Sequence, residues 1–150
     1  MPLISDGDRQ FLTDHFSKEL TDPVKIVYFT QHDTNMVVPG HECLYCKETR
    51  DLLDEVASLS DKIELEVHDF VADGEEAARY GVDKIPAAVL TGSGKGKVHF
   101  YGIPSGYEFA ALVESLVAMS KGTTPLKDTT RAELAKANQD LHIQVFTTPT

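Results

Sequence analysis

Two hydrophobic periods divide the chain into helices and strands. Between Asp6 and Leu20 the apolar residues recur at the spacing of an amphipathic helix, whereas Ile63, Leu65 and Val67 alternate with polar residues as in a half-buried strand. Over the whole chain the pattern predicts helices at residues 6–20, 43–58, 74–80, 105–121 and 128–138, and strands at residues 24–30, 63–67, 87–90, 97–101 and 142–147.

The order of these elements predicts the fold class over residues 1–122. Strands that are separated by helices require parallel crossovers, and the glycine-rich turn from Gly92 to Gly96 adds an antiparallel pair near the end. We therefore expect an α/β unit, in which a mixed four-stranded sheet is covered by helices on both faces.

The last segment, residues 123–150, repeats the beginning of the chain. Its predicted strand matches residues 25–30 at three of six positions, and a helix precedes the strand in both places. Agreement by chance is the alternative, but the matched order of elements favours a second copy of the unit. We expect its first helix and strand only, and an unpaired strand near Val145 would offer an edge for dimerisation.

Composition narrows the function classes. A chain of 150 residues with 41% apolar and 25% charged residues is sufficient for one compact domain and its core. Its net charge of −10 should repel nucleic acid and anionic membranes, so neither is expected as a partner. The N-terminal residues 1–10 lack the pattern of a secretory signal, which makes the cytoplasm the expected location.

The candidate chemistry lies in a cysteine pair, Cys43 and Cys46, at the predicted start of a helix. A helix N-terminus favours negative charge and lowers a thiol pKa, and two intervening residues place the sulfurs within bonding distance. Cys43 is the expected nucleophile and Cys46 the resolving thiol, in a cycle that needs no cofactor. Tyr45, between them, is a candidate substrate contact, with simple packing as the alternative.

Metal binding is the competing interpretation of this motif. His41 gives the sequence His-x-Cys-x-x-Cys, and His32 lies in the same predicted loop. Zinc accepts such ligands, but a closed structural site takes four of them, and the chain has no second cysteine pair. Redox exchange is therefore favoured, and a Cys/His metal-binding protein stays as an alternative.

A second motif, Tyr80-Gly-Val-Asp-Lys-Ile-Pro-Ala87, places a proline before a predicted core strand. Together with the cysteine pair it resembles the thioredoxin superfamily, in which G-V-x-x-[IVT]-P precedes the third strand. The resemblance implies a cis bond between Ile85 and Pro86 that faces the cysteines, with the backbone of Ile85 pairing to the substrate. From the residues alone, a trans proline at an edge strand is the alternative.

The chain resembles most the two-unit protein disulfide oxidoreductases, which are also called glutaredoxin-like proteins. Residues 1–122 fit the first thioredoxin-like unit, and residues 123–150 fit the start of the second. The resemblance implies dithiol–disulfide exchange with protein substrates, and a thioredoxin-reductase-type flavoprotein as the partner that restores the pair. A module of the same fold that only relays electrons or binds a partner is the alternative function.

Overall fold

The computed structural model describes residues 2–31 and 42–148. The helices and strands are, in chain order, α1 (Asp6–Glu19), β1 (Val24–Thr30), α2 (Cys46–Ala57), β2 (Ile63–Asp69), α3 (Gly74–Tyr80), β3 (Ala87–Thr91), β4 (Val98–Tyr101), α4 (Tyr107–Lys121) and α5 (Asp128–Leu134). Within the described ranges, no helix combines the length and the apolar character that crossing a membrane requires.

Two helices begin later than the sequence predicts, and local backbone conformation explains both differences. Helix α2 begins at Cys46 instead of Cys43, because Tyr45 has the non-helical angles φ −115° and ψ 7°. Helix α4 begins at Tyr107, because the preceding residue, Gly106, has a positive φ of 59°. Both cysteines therefore lie at the N-terminal end of α2, but only Cys46 lies within the helix.

The four strands form one mixed sheet in the order β2-β1-β3-β4. Strand β1 is parallel to β2 and antiparallel to β3, and β3 is antiparallel to β4. The parallel pair is joined through α2, as a crossover requires, and the antiparallel pair β3–β4 follows from the short turn between these strands. The predicted α/β fold class with a mixed four-stranded sheet is confirmed.

The side chains of β1 divide the core between the two faces of the sheet. Ile26 and Tyr28 are fully buried in a cluster with residues of α1, α2 and α4. Val27 and Phe29 point to the other face, where they pack with Ala77 of α3. Helices thus cover both faces of the sheet. Helix α2 lies on the same face as Tyr28. The chain leaves β1 at its C-terminal end and continues from there toward the cysteines.

The C-terminal segment departs from the prediction. Helix α5 ends at Leu134, and residues 142–147 form no strand, so the predicted strand is wrong for this structure. A strand needs a neighbouring backbone to pair with, and the described residues provide none for this segment. Every residue from 121 to 148 is exposed. The assignment of residues 123–150 to a second unit, and dimerisation through its edge, stay predictions.

Candidate active site at the start of α2

Cys43 and Cys46 form a disulfide in this structure, with their Cα atoms 5.5 Å apart. The two sulfurs are not equally accessible, because Cys46 is only 5% exposed, whereas Cys43 is intermediate in exposure. The structure thus gives the two cysteines unequal access to solvent, and their predicted roles as nucleophile and resolving thiol stay predictions.

The surroundings of Cys43 favour its thiolate. Its sulfur is bonded to that of Cys46, the first residue of α2, so it lies at the N-terminus of this helix. The unpaired N–H groups and the dipole of a helix start favour negative charge there. The backbone N–H of Cys43 donates to Oε1 of Gln31 at 2.9 Å, which ties the cysteine turn to the end of β1.

Two exposed apolar residues separate the cysteines. Leu44 and Tyr45, the two residues between the cysteines, are 75% and 56% exposed. Large apolar side chains with this exposure are candidates for contact with another molecule when they adjoin a reactive group. Tyr45 is thus largely exposed, and its role as a substrate contact stays a prediction.

The Ile85–Pro86 segment approaches the same end of β1. Its peptide bond is cis, Pro86 is buried and Ile85 is half-buried. Phe29 is paired with Ala87, and continuing this antiparallel register by one residue places Pro86 beside Thr30. The cis peptide therefore lies next to the strand end from which the chain leaves toward the cysteines.

Sequence analysis missed a group of buried hydroxyls beside the pair. The hydroxyl of Tyr28 donates to the backbone carbonyl of Cys46 at 2.7 Å. Burial raises the pKa of Tyr28 to about 12, although the hydroxyls of Thr30 and Thr49 oppose this effect. Thr49 is fully buried, and its hydroxyl has no hydrogen-bond partner. Polar residues at alternate positions of an otherwise apolar strand, as at 28 and 30, are the signal in the sequence that points to this group.

The metal alternative gains no support from the described part of the chain. Within residues 2–31 and 42–148, no three His, Cys, Asp or Glu side chains are grouped as metal ligands would be. His32 and His41, the further ligands that this alternative uses, lie outside the described residues. Metal binding therefore stays an alternative that the geometry does not favour.

A comparison with protein families decides the family. The model of the thioredoxin domain family matches residues 34–114, more than half of the chain. The chain belongs to the thioredoxin domain family. Comparison with curated proteins finds no match. The family match includes both cysteines and the Ile85–Pro86 segment, so the predicted superfamily resemblance is confirmed.

Solved structures of larger redox proteins share this fold. The alkylhydroperoxide reductase AhpF of Enterococcus faecalis is 26% identical, with a TM-score of 0.72 over 89% of this chain and 60% of that one. The NTD_N/C domain of AhpF is also 26% identical, with a TM-score of 0.70 over 87% of this chain and 59% of that one. A protein disulfide oxidoreductase from Aeropyrum pernix is 23% identical, with a TM-score of 0.72 over 88% of this chain and 54% of that one, and it shows the fold alone.

This thioredoxin-family chain covers only part of those proteins. It spans 60%, 59% and 54% of the lengths of the three solved structures. The family match, the shared fold and the pairing of Cys43 with Cys46 together support thiol–disulfide redox chemistry in general.

Proposed function

We propose that the chain is a dithiol–disulfide oxidoreductase that acts on protein thiols and disulfides through Cys43 and Cys46. The observation that carries this proposal is the disulfide between a partly exposed Cys43 and a buried Cys46 at the start of α2. A structural disulfide gains less from such a position than from closing a long loop, because the stabilisation falls as the closed loop becomes shorter. A reactive pair benefits from this arrangement, because the sulfur of Cys43 is accessible to a substrate and the sulfur of Cys46 is shielded from solvent.

The exchange balances with the two cysteines alone. In the reducing direction, the Cys43 thiolate attacks one sulfur of a substrate disulfide, and the released substrate thiolate takes up a proton. The Cys46 thiol then loses its proton and attacks the sulfur of Cys43, which expels the second substrate thiolate and forms the disulfide seen here. Two electrons pass to the substrate, and the oxidising direction is the reverse.

The residues around Cys43 support an extended protein segment as substrate. Leu44 and Tyr45 offer apolar contacts beside Cys43, and Ile85 offers backbone groups just before the start of β3. A substrate segment that pairs with the backbone of Ile85 would add a short strand and present its cysteine to Cys43. We assign Tyr45, Ile85 and Pro86 to substrate binding on this basis.

A reducing partner completes the proposed cycle. We infer a thioredoxin-reductase-type flavoprotein, which would reduce the Cys43–Cys46 disulfide after each turnover. We place this cycle in the cytoplasm, where thiols are kept reduced. Reduction of the disulfide by such a reductase and NADPH, followed through NADPH absorbance, tests the partner class separately from the substrate.

Insulin reduction by dithiothreitol tests the proposed activity. We expect the wild-type chain to accelerate precipitation of the reduced insulin, and the Cys43→Ser variant to fall to the uncatalysed rate. A matched control is Ser93→Ala, which leaves the cysteine pair intact because Ser93 lies in the turn before β4 and bonds to Asp22. Equal rates for wild type and Cys43→Ser would remove the catalytic proposal.

An electron-relay module is the second candidate, and the likeness to AhpF favours it. The chain is 26% identical to this alkylhydroperoxide reductase and spans 60% of its length. A unit of such a protein would pass electrons from one attached centre to another and show little activity on free insulin. Rapid reduction of the pair by a flavoprotein, together with an uncatalysed insulin rate, would identify this candidate.

A further inference from the structure

One buried hydroxyl beside the redox pair has no hydrogen-bond partner. Thr49 has no exposed surface, and its Oγ1 is unpaired. A buried hydroxyl without a partner is costly, and native proteins keep few of them. Thr49 is close in the chain to the Cys43–Cys46 disulfide, which changes chemical state during redox exchange. This position points to a hydrogen-bond acceptor that forms only when the disulfide opens.

Thr49 lies one helical turn after Cys46. Residues three apart on a helix are neighbours on one face, and side chains of a helix lean toward its N-terminus. Both residues are buried on the face of α2 that packs against β1. The Thr49 hydroxyl therefore lies on the same buried face of the helix as Cys46, one turn away and shielded from water, without a hydrogen bond to its sulfur while the disulfide is closed.

The other donors of this region are already in use. Tyr28 donates its hydroxyl to the carbonyl of Cys46 at 2.7 Å, and Thr30 donates toward the carbonyl of Gln31 at 3.4 Å. The backbone N–H of Thr49 itself bonds to the carbonyl of Tyr45 at 2.9 Å. The Thr49 hydroxyl lies close enough to Tyr28 to oppose the rise in its pKa, but it makes no hydrogen bond of ordinary distance and angle, so its proton stays available.

We propose that the Thr49 hydroxyl donates a hydrogen bond to the sulfur of Cys46 once the disulfide has opened, and so stabilises the resolving thiolate. A disulfide sulfur is a weak acceptor, whereas a thiolate is a charged and much stronger one. Burial alone would raise the thiol pKa of Cys46 and delay its attack on the mixed disulfide. The kinetic part of this inference rests on the proposed function.

The proton and electron balance of the step is simple. The Cys46 thiol gives its proton to solvent or to the leaving substrate thiolate, and its electron pair forms the bond to the sulfur of Cys43. Thr49 keeps its own proton throughout and only donates a hydrogen bond. No oxidant or reductant beyond the two cysteines and the substrate is needed.

The charged groups near the pair in the described part of the chain are open to solvent, so they act weakly on a buried sulfur. On α2, Lys47 is paired with Asp51 and Arg50 with Asp54, with 70% and 41% of the two cationic side chains exposed. Within residues 2–31 and 42–148, the other titratable groups on the segments next to the pair are Glu42 and Glu48 beside the cysteines, Tyr28 on β1, and the exposed pair of Asp83 and Lys84 before β3. Of these groups, only Tyr28 is buried.

The test is the thiol pKa of Cys46 in a Cys43→Ala background, measured from thiolate absorbance at about 240 nm. Thr49→Val removes the hydroxyl but keeps the shape, and we expect it to raise this pKa by about one unit. Thr49→Ser keeps the hydroxyl and should titrate like the parent. Thr13→Val is the matched control, because Thr13 lies on α1 and bonds to the carbonyl of Arg9.

A parent-like pKa in Thr49→Val would overturn the inference. If Thr49→Val does not fold, Thr49→Ala makes the same comparison with Thr49→Ser. The pKa measurement needs no substrate, so its result stands even if insulin reduction fails. With an active protein, Thr49→Val should also resolve a mixed disulfide about threefold more slowly than Thr49→Ser in stopped-flow experiments, because a higher pKa lowers the thiolate fraction about tenfold but makes each thiolate more nucleophilic.

Discussion

At the scale of single residues, Tyr28 joins the central strand to the redox pair. Its ring is buried in the main core, and its hydroxyl bonds to the carbonyl of Cys46 at the first residue of α2. One side chain thus contributes apolar packing at one end and a polar contact at the other, as buried tyrosines usually do. This contact holds the start of α2 against the end of β1.

Tyr28→Phe isolates the polar half of this role. It leaves the ring but removes the buried donor to the Cys46 carbonyl, so we expect the free energy of unfolding to fall by about 1 kcal/mol. Denaturant unfolding of the oxidised protein measures it. Tyr107→Phe is the control, because Tyr107 is 89% exposed and should tolerate the change. Equal effects of the two substitutions would show that the Cys46 contact contributes nothing.

His68 should give the protein a pH-dependent stability. Burial lowers its pKa, but hydrogen bonds to Glu66 and Asp73 at 2.6 and 3.2 Å outweigh burial and raise this pKa above the ordinary 6.5. A raised folded-state pKa stabilises the protein below the unfolded value, and this stabilisation is lost as pH rises through the folded value.

The measurement for His68 is the free energy of unfolding at about pH 6 and about pH 8, on either side of the ordinary histidine pKa. We expect the wild-type chain to lose stability between these values relative to His68→Gln, which lacks the titrating ring. His142→Gln, in the exposed C-terminal segment, should retain the wild-type pH dependence. A His68→Gln variant with the same pH dependence as wild type would show that the contacts to Glu66 and Asp73 do not affect stability.

At the scale of elements, glycine fixes the end of α3. Gly81 follows the helix with a φ of 72°, and its N–H bonds to the carbonyls of Ala77 and Ala78. The space around its Cα would accept a methyl group, so conformation alone makes glycine favourable at this position. Gly7, inside α1, has an ordinary helical conformation instead.

Two glycine substitutions should therefore have opposite signs. Gly81→Ala places a side chain in the left-handed region and should lower the free energy of unfolding by about 1 kcal/mol. Gly7→Ala should raise it by about 0.5–1 kcal/mol, because alanine loses less backbone entropy in a helix. Thermal or denaturant unfolding checks both variants, and a stabilising Gly81→Ala would contradict the conformational argument.

Local patterns predict most helices and strands. The hydrophobic period of an element and the residues that begin or end it lie within a few positions of each other along the chain. The end of α3 at Gly81 and the strands around it were predicted from such signals. The start of α2 was placed too early, because the disulfide turn before Cys46 depends on a covalent bond that helical periodicity does not report. The strand at 142–147 failed for a different reason, since a strand forms only with a partner.

The candidate site was predictable only in part. The spacing of Cys43 and Cys46 is a local signal, and it led to the pair directly. The contact between Tyr28 and Cys46 joins residues that are 18 positions apart, and it exists only because α2 packs on β1. The buried state of Thr49 likewise follows from packing, so the alternating polar positions of β1 point to buried hydroxyls but do not place them beside the cysteine pair.

At the scale of the whole molecule, the core lies entirely before Gly122. Ser120 is the last buried residue of the described chain, and its hydroxyl donates to the carbonyl of Asp22 at 2.6 Å and accepts from the N–H of Thr21 at 2.9 Å. Helix α5 buries none of its residues. The C-terminal segment therefore adds little to the stability of the thioredoxin-like unit.

A variant that ends at Gly122 tests this division. Because none of residues 123–148 is buried and the hydrogen bond that joins Thr147 to Glu108 of α4 is exposed, we expect its Tm to stay within about 2 °C of the full chain, a difference well under about 1 kcal/mol. Insulin reduction should be retained as well. A control variant that ends at Ala118 removes buried Met119 and Ser120 and should be strongly destabilised. A large loss of Tm in the first variant would show that the C-terminal segment supports the fold.

The central claim is that Cys43 is the nucleophile and Cys46 the resolving thiol. Trapping of a mixed disulfide tests it most directly. Cys46→Ser and Cys43→Ser are each incubated with a disulfide-containing protein substrate, and the adducts are located by non-reducing mass spectrometry. The account predicts a stable adduct on Cys43 in Cys46→Ser and little adduct on the buried Cys46 in Cys43→Ser. Adducts of equal amount in both variants, or in neither, would contradict it.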